Sequence, residues 1–133
     1  MSKKKQDKAI VIQPDHGRKY ECGNMNAIFK FDEESGSKYA VSEWWIAPET
    51  AGPGIQHHKK NKDVVYVLEG KVTFIIDNER INASKGSCIR IPANVPHDFE
   101  NGTGKKAGML NFFIPGGFEP KMPAIVEWYK NQN

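Results

Sequence analysis

What most restricts the fold of this chain is a succession of short runs rich in β-branched and aromatic residues, with turn signals between them. The runs cover residues 9–12, 26–31, 39–46, 64–68, 72–76, 87–91 and 109–114. Such composition suits a pleated, half-buried strand. Between them stand Pro14-Asp15-His16-Gly17, Glu34-Ser35-Gly36-Ser37, Gly52-Pro53-Gly54, Asp77-Asn78 and Gly102-Thr103-Gly104, which are turn formers. Strands this short and this evenly spaced, with no helix between them, predict an all-β sandwich or barrel. An open sheet edge invites aggregation, so closure into a jelly-roll barrel is the expected arrangement. A single helix is expected at the end. Pro123 suits a first helical position, and Ile125, Trp128 and Tyr129 then share one side.

At 133 residues the chain is long enough for one domain with its own core. That domain is expected over residues 8–133, after a disordered basic tail at 1–7. The formal charge is +3, and Lys3, Lys4, Lys5 and Lys8 account for more than that excess. The remainder is close to neutral, which argues against a nucleic-acid face. The cluster Lys59-Lys60-Asn61-Lys62 reads as a solvated loop tip. No apolar run approaches the ~20 residues of a membrane span. The basic start leads into Gln6-Asp7-Lys8, not into the apolar stretch of a signal peptide. Two cysteines, Cys22 and Cys88, make no disulfide framework and have no CxxC spacing. The expectation is a cytoplasmic protein, with neither nucleic acid nor membrane among its partners.

Four histidines are candidates for chemistry: His16, His57, His58 and His97. If residues 54–59 are extended, Gln56 and His58 face one way and His57 the other. His57 is then a surface residue, and His16 is a loop histidine. Asp63 opens the apolar run Val64-Val65-Tyr66-Val67-Leu68, where an inward carboxylate needs a partner or a metal. His97 follows the turn Ala93-Asn94-Val95-Pro96 and begins a further strand.

These spacings resemble the two motifs of the cupin superfamily. Gly86, Pro92, His97 and Asn101 match the second motif, with Asn94 where glycine is usual. Asparagine also accepts positive φ. Gly70 closes the first motif, placing Asp63 at its usual glutamate, His58 at its second histidine and Gln56 at its first. Glu43-Trp44-Trp45, Tyr66-Val67-Leu68-Glu69-Gly70, Pro96-His97-Asp98-Phe99-Glu100-Asn101 and Pro115-Gly116-Gly117-Phe118-Glu119-Pro120 extend the likeness to small bacterial quercetin-dioxygenase-like cupins. It runs from about Asn24 onward. The resemblance implies a single-domain cupin barrel, a homodimer, and a divalent metal held inside by Gln56, His58, Asp63 and His97.

Two imidazoles and a carboxylate form a ligand set used by many non-haem iron(II) sites, and iron(II), manganese, nickel and zinc all remain open. Gln56 would be a weak fourth ligand or would orient a water or substrate. The same four residues also read as a hydrogen-bonded polar cluster in a barrel without metal. The implied function is either a metal-dependent enzyme, a dioxygenase or isomerase acting on a small oxygenated or enolisable molecule, or a non-catalytic ligand-binding or regulatory protein. Weaker candidates for contact with a small-molecule ligand are Arg90, Trp44, Tyr66 and Phe112. Arg90 and Cys88 share the less apolar side of their strand and read as exterior. Cys88 has no base near it in sequence and is not read as a nucleophile.

Overall fold

Alternation of inward and outward side chains, strand after strand, builds the structure around one interior. The computed structural model describes residues 8–32, 38–56 and 58–132. The basic tail at 1–7, the turn expected at 34–37 and His57 lie outside them. The strands are β1 (Arg18–Cys22), β2 (Met25–Phe31), β3 (Ala40–Ile46), β4 (Lys62–Glu69), β5 (Lys71–Ile76), β6 (Glu79–Ser84), β7 (Cys88–Ile91), β8 (His97–Glu100) and β9 (Ala107–Ile114). One sheet has the order β1-β2-β3-β9-β4-β7 and the other β6-β5-β8. Every pairing is antiparallel. Ala40, Ser42, Trp44 and Ile46 of β3 are buried, as are Asp63, Val65 and Val67 of β4, Phe74 of β5, and His97 and Phe99 of β8. Those period-2 sets face one another across the interior, and the result is an all-β jelly-roll barrel.

Three turn residues behave as their chemistry requires. Asp77 and Asn78 both have positive φ, at 49° and 70°, and close the two-residue hairpin between β5 and β6. Asn94, at φ 66°, takes the left-handed conformation expected of it.

The N-terminal strand expected at 9–12 does not form. Residues 8–13 have no regular structure, and Val11 is 74% exposed. The sheet ends instead on β1, whose partner is β2. β1 went unrecognised because its half-buried positions carry Arg18 and Tyr20, not aliphatic residues. β6 escaped for a related reason: of ERINAS only Ala83 is buried, so no apolar alternation marks it.

The expected C-terminal helix is present as α1 (Met122–Lys130), with Pro123 in its first turn, preceded by a 3-10 turn at Glu119–Lys121. Met122 is its fully buried anchor, Ile125 and Tyr129 pack on the core, and Trp128 remains largely exposed. No helix among the described residues is long and apolar enough to cross a membrane.

Two buried carboxylates hold the segment leading into α1. Asp32, 1% exposed, accepts hydrogen bonds from the backbone N–H groups of Gly117 and Glu119, at 2.7 Å each. Glu119, 3% exposed, receives the Arg18 guanidinium at 2.5 and 2.7 Å and the Tyr20 hydroxyl at 2.8 Å. A fork of this kind is strong because both its hydrogen bonds are charge-assisted. Arg18→Ala leaves Glu119 buried without its counter-ion and is expected to lower unfolding stability by about 3 kcal/mol. Arg80→Ala removes an exposed pair with Glu100 and is expected to change stability by less than about 1 kcal/mol. Urea unfolding of the two variants checks the contrast.

Candidate functional site

Three strands and one loop bring the polar residues together. On β4 the inward phase begins at Asp63 and continues through Val65 and Val67, so the carboxylate enters an otherwise apolar wall. β8 begins at His97, whose ring shares the inward phase with Phe99. The loop before β4 runs beside β8, where Gln56 and His97 exchange both backbone hydrogen bonds at 2.8 Å. Two residues on, the His58 carbonyl accepts the N–H of Asn94 at 2.6 Å. That bond ties the loop to the turn preceding His97.

The side-chain geometry is specific. One ligand atom each from His58, Asp63 and His97 lies within 4.8 Å of the other two. Asp63 is 6% exposed and His97 8%. His97 Nδ1 lies 2.9 Å from the Val95 carbonyl, which can only accept, so Nδ1 carries the proton. The other ring nitrogen, Nε2, stands 3.5 Å from Asp63 Oδ2. The other carboxylate oxygen, Oδ1, accepts a hydrogen bond of 2.9 Å from Asn111 Nδ2. Asn111 is the diagonal cross-strand neighbour of Asp63, since Asp63 pairs with Phe113. The His58 ring packs edge-on against Phe113 at 4.8 Å and lies 5.5 Å from the His97 ring.

This donor set fits a divalent transition metal. It holds two imidazoles and a carboxylate, and the outer atoms of His97 and Asp63 are already tied down by a carbonyl and an amide. Metal-binding imidazoles and carboxylates are oriented by such partners. Gln56 lines the same cavity. Its amide oxygen is a harder and weaker donor than imidazole.

The cavity measures about 240 Å³, near the lower end of ligand pockets, which run from about 300 to 1,000 Å³. Apart from the polar group its wall is apolar and largely aromatic, including Phe29, Trp44, Phe74, Phe99 and Phe113. Trp44 lines the cavity, with its indole N–H donated to Ser42 Oγ at 3.0 Å. The other three weak candidates do not reach the cavity. Arg90 and Tyr66 are exposed on outward phases of β7 and β4. Phe112 lies on the opposite phase of β9 from Met109, Asn111 and Phe113, which form the wall. Cys88 is exposed, as the strand pattern implied.

Cys22 and Tyr129 also line the cavity. Burial pushes the Cys22 thiol up to about 11. Burial, with smaller contributions from Cys22 and Asp98, pushes the Tyr129 phenol up to about 12. Both groups stay protonated at neutral pH. His16 is exposed, with Nδ1 on the Pro14 carbonyl at 3.1 Å.

The motif asparagine, Asn101, has a structural part. It is fully buried, donates to the carbonyls of Ile46, Ala47 and Lys105, and accepts from Thr103. Asn111 was missed in the sequence. The available signal was an amide at the inward phase between Met109 and Phe113, where a polar group requires a partner.

Comparison with known proteins points the same way. The sequence pattern of the cupin domain family matches residues 43–113. Over 66 residues the chain is 33% identical to an uncharacterized protein of Methanocaldococcus jannaschii, covering 50% of this chain and 52% of that one. Over 74 residues it is 32% identical to the quercetin 2,3-dioxygenase of Bacillus subtilis, covering 56% of this chain and 22% of the relative. The chain thus spans about half the length of the first relative and about a fifth of the second. The solved structure of ectoine synthase from P. lautus superposes with a TM-score of 0.74 at 15% identity, covering 87% of this chain and 85% of that one. At that identity the likeness is one of fold. With the motif glycines, the inward His58, Asp63 and His97 and a family match over more than half its length, the chain belongs to the cupin family.

Proposed function

We propose that His58, Asp63 and His97 bind a divalent transition metal, with Gln56 beside it, and that the cavity acts on a small oxygenated or enolisable molecule. The observation that carries this reading is the arrangement of His97 and Asp63. Each is held on its outer atom, by the Val95 carbonyl and the Asn111 amide, and each turns its other atom toward the common centre. When bound, a metal there supplies Lewis acidity or a centre for oxygen chemistry. Iron(II), manganese, nickel and zinc all suit the donors. The chain's own residues do the rest. Asn111 holds the Asp63 carboxylate in place, Val95 selects the His97 tautomer, and Gln56 offers an amide to a water or substrate. The aromatic wall excludes bulk water.

The local likeness to quercetin 2,3-dioxygenase supports a dioxygenase-like oxidoreductase. A second reading, a non-catalytic ligand-binding or regulatory cupin, draws on a specific observation. Away from the ligand set, the cavity's titratable groups among the described residues are Cys22 and Tyr129, both held protonated by burial. Neither can accept a proton at neutral pH, so the wall favours oxygen chemistry or binding over proton-transfer catalysis.

Plasma mass spectrometry after reconstitution with iron(II), manganese, nickel and zinc is expected to find near-stoichiometric metal in the wild type. Asp63→Ala and His97→Ala are expected to lose it, and His16→Ala to keep it. A wild type that takes up none of the four metals would identify a metal-free binding cupin. Asn111→Ala keeps all three ligands and is expected to weaken metal affinity by about tenfold, as loss of an outer-shell partner typically does. Competition against a chromophoric chelator measures this. The exposed Ile10 and Val11 favour a homodimer. Light scattering on a sizing column is expected to give twice the 15.0 kDa of the chain, and a clean monomer would refute the dimer.

A further inference from the structure

The carboxylate clamps on the segment before α1 enclose one side chain. Asp32 holds the N–H groups of Gly117 and Glu119, and Arg18 with Tyr20 holds the Glu119 carboxylate. The residue between the two clamped peptides is Phe118, which lines the cavity. Its ring lies 5.1 Å from Phe113, 6.0 Å from His58, 6.2 Å from Phe29 and 6.4 Å from Trp44. Burying two carboxylates is unfavourable unless each is fully hydrogen-bonded. Here that condition is met by groups whose joint effect is to immobilise one aromatic ring against a candidate ligand.

The charge of the wall points to what the cavity accepts. No lysine or arginine lines it among the described residues, so an anionic group on a ligand would meet no lysine or arginine along that wall. Gln56, His58, Asp63 and His97 supply its main polar group, and the rings of Phe113 and Phe118 pack against His58.

We propose that Phe118 is a specificity-determining residue of this site, and that the space it closes selects a neutral, planar molecule carrying its oxygen atoms on one edge. The proposal rests on the metal reading of His58, Asp63 and His97. Phe118 acts as a fixed wall: its position comes from Asp32 and Glu119, and it limits how far a ligand can extend beyond that edge.

The test is calorimetric titration of the zinc-loaded protein, zinc being redox-inert, with three probes. Catechol is neutral and planar with both oxygens on one edge, 3,4-dihydroxybenzoate adds a carboxylate, and 4-tert-butylcatechol adds bulk. The wild type is expected to bind catechol, and to bind the benzoate at least about tenfold more weakly because its charge is buried unpaired. Phe118→Ala is expected to improve 4-tert-butylcatechol relative to catechol by at least about tenfold, the scale of a few methylene groups in an apolar pocket. Phe118→Leu, which keeps apolar bulk, is expected to fall between, and it carries the same test should the alanine variant not fold.

Catechol binding that depends on His97 but shows the same tert-butyl preference in wild type and Phe118 variants would overturn the role of Phe118 alone. Equal affinity for the benzoate would overturn the neutral ligand class. Absence of catechol binding, or binding that His97→Ala leaves unchanged, would overturn the site itself and the proposal with it.

Discussion

A carboxylate on the inward face of an apolar barrel has to be hydrogen-bonded or neutralised, and the interior of this protein is arranged around that requirement. Asp63 sits in phase with Val65 and Val67, so no local rotation of β4 can expose it without exposing them. Its two oxygens are answered from different elements, Oδ1 by Asn111 on β9 and Oδ2 by His97 on β8. The strands therefore need both the right order and the right register. β4 beside β9 places Asn111 diagonal to Asp63, and the bridge between Gln56 and His97 sets the loop that carries His58.

Two further buried carboxylates solve the same problem with other partners. Asp32 is met by backbone N–H groups, and Glu119 by the Arg18 fork and the Tyr20 hydroxyl. This explains why β1 is a poor strand by composition. Arg18 and Tyr20 occupy the half-buried positions where a sheet would ordinarily place aliphatic side chains, because they serve Glu119. A segment with weak strand propensity is thus fixed by ionic contacts made a hundred residues away, and α1 and Phe118 are fixed with it. Gly23 takes part at the other end: a Cβ there would meet Tyr129 Cδ1 at 2.8 Å, so the helix ring packs directly on the backbone.

How much was legible in the sequence follows from which contacts are local. The inward phase of Asp63, the positive φ of Asn94 and the Asp77-Asn78 hairpin depend on neighbours a few residues off, and each could be read directly. His58, Asp63 and His97 became legible as a set through motif spacing, because spacing along the strands encodes their phase. Asn111 and Phe118 were not legible. Their significance lies in cross-strand or loop-to-barrel contacts that no periodicity records. The residues at 9–12 misled for the opposite reason: their propensity is strong, but they pair with no strand, and the sheet ends on β1. Arg90, Tyr66 and Phe112 were chosen by side-chain chemistry, and the pleat turned each of them outward.

The division of the cavity into a polar end and an apolar wall has an energetic consequence. A small planar ring buries on the order of 150 Å², which at ~25 cal/mol per Å² amounts to roughly 4 kcal/mol. That alone corresponds to a dissociation constant of about 1 mM before any ordering cost. The apolar wall can therefore collect a ligand but cannot hold it tightly. Cys22 and Tyr129, protonated by their burial, add no charge to that wall. Tight or selective binding must come from the end where His58, Asp63, His97 and Gln56 converge, and from the shape of the space that Phe118 leaves beside them. On the proposed reading, affinity is concentrated at one edge of a ligand, while the rest of the barrel decides which molecules can present that edge.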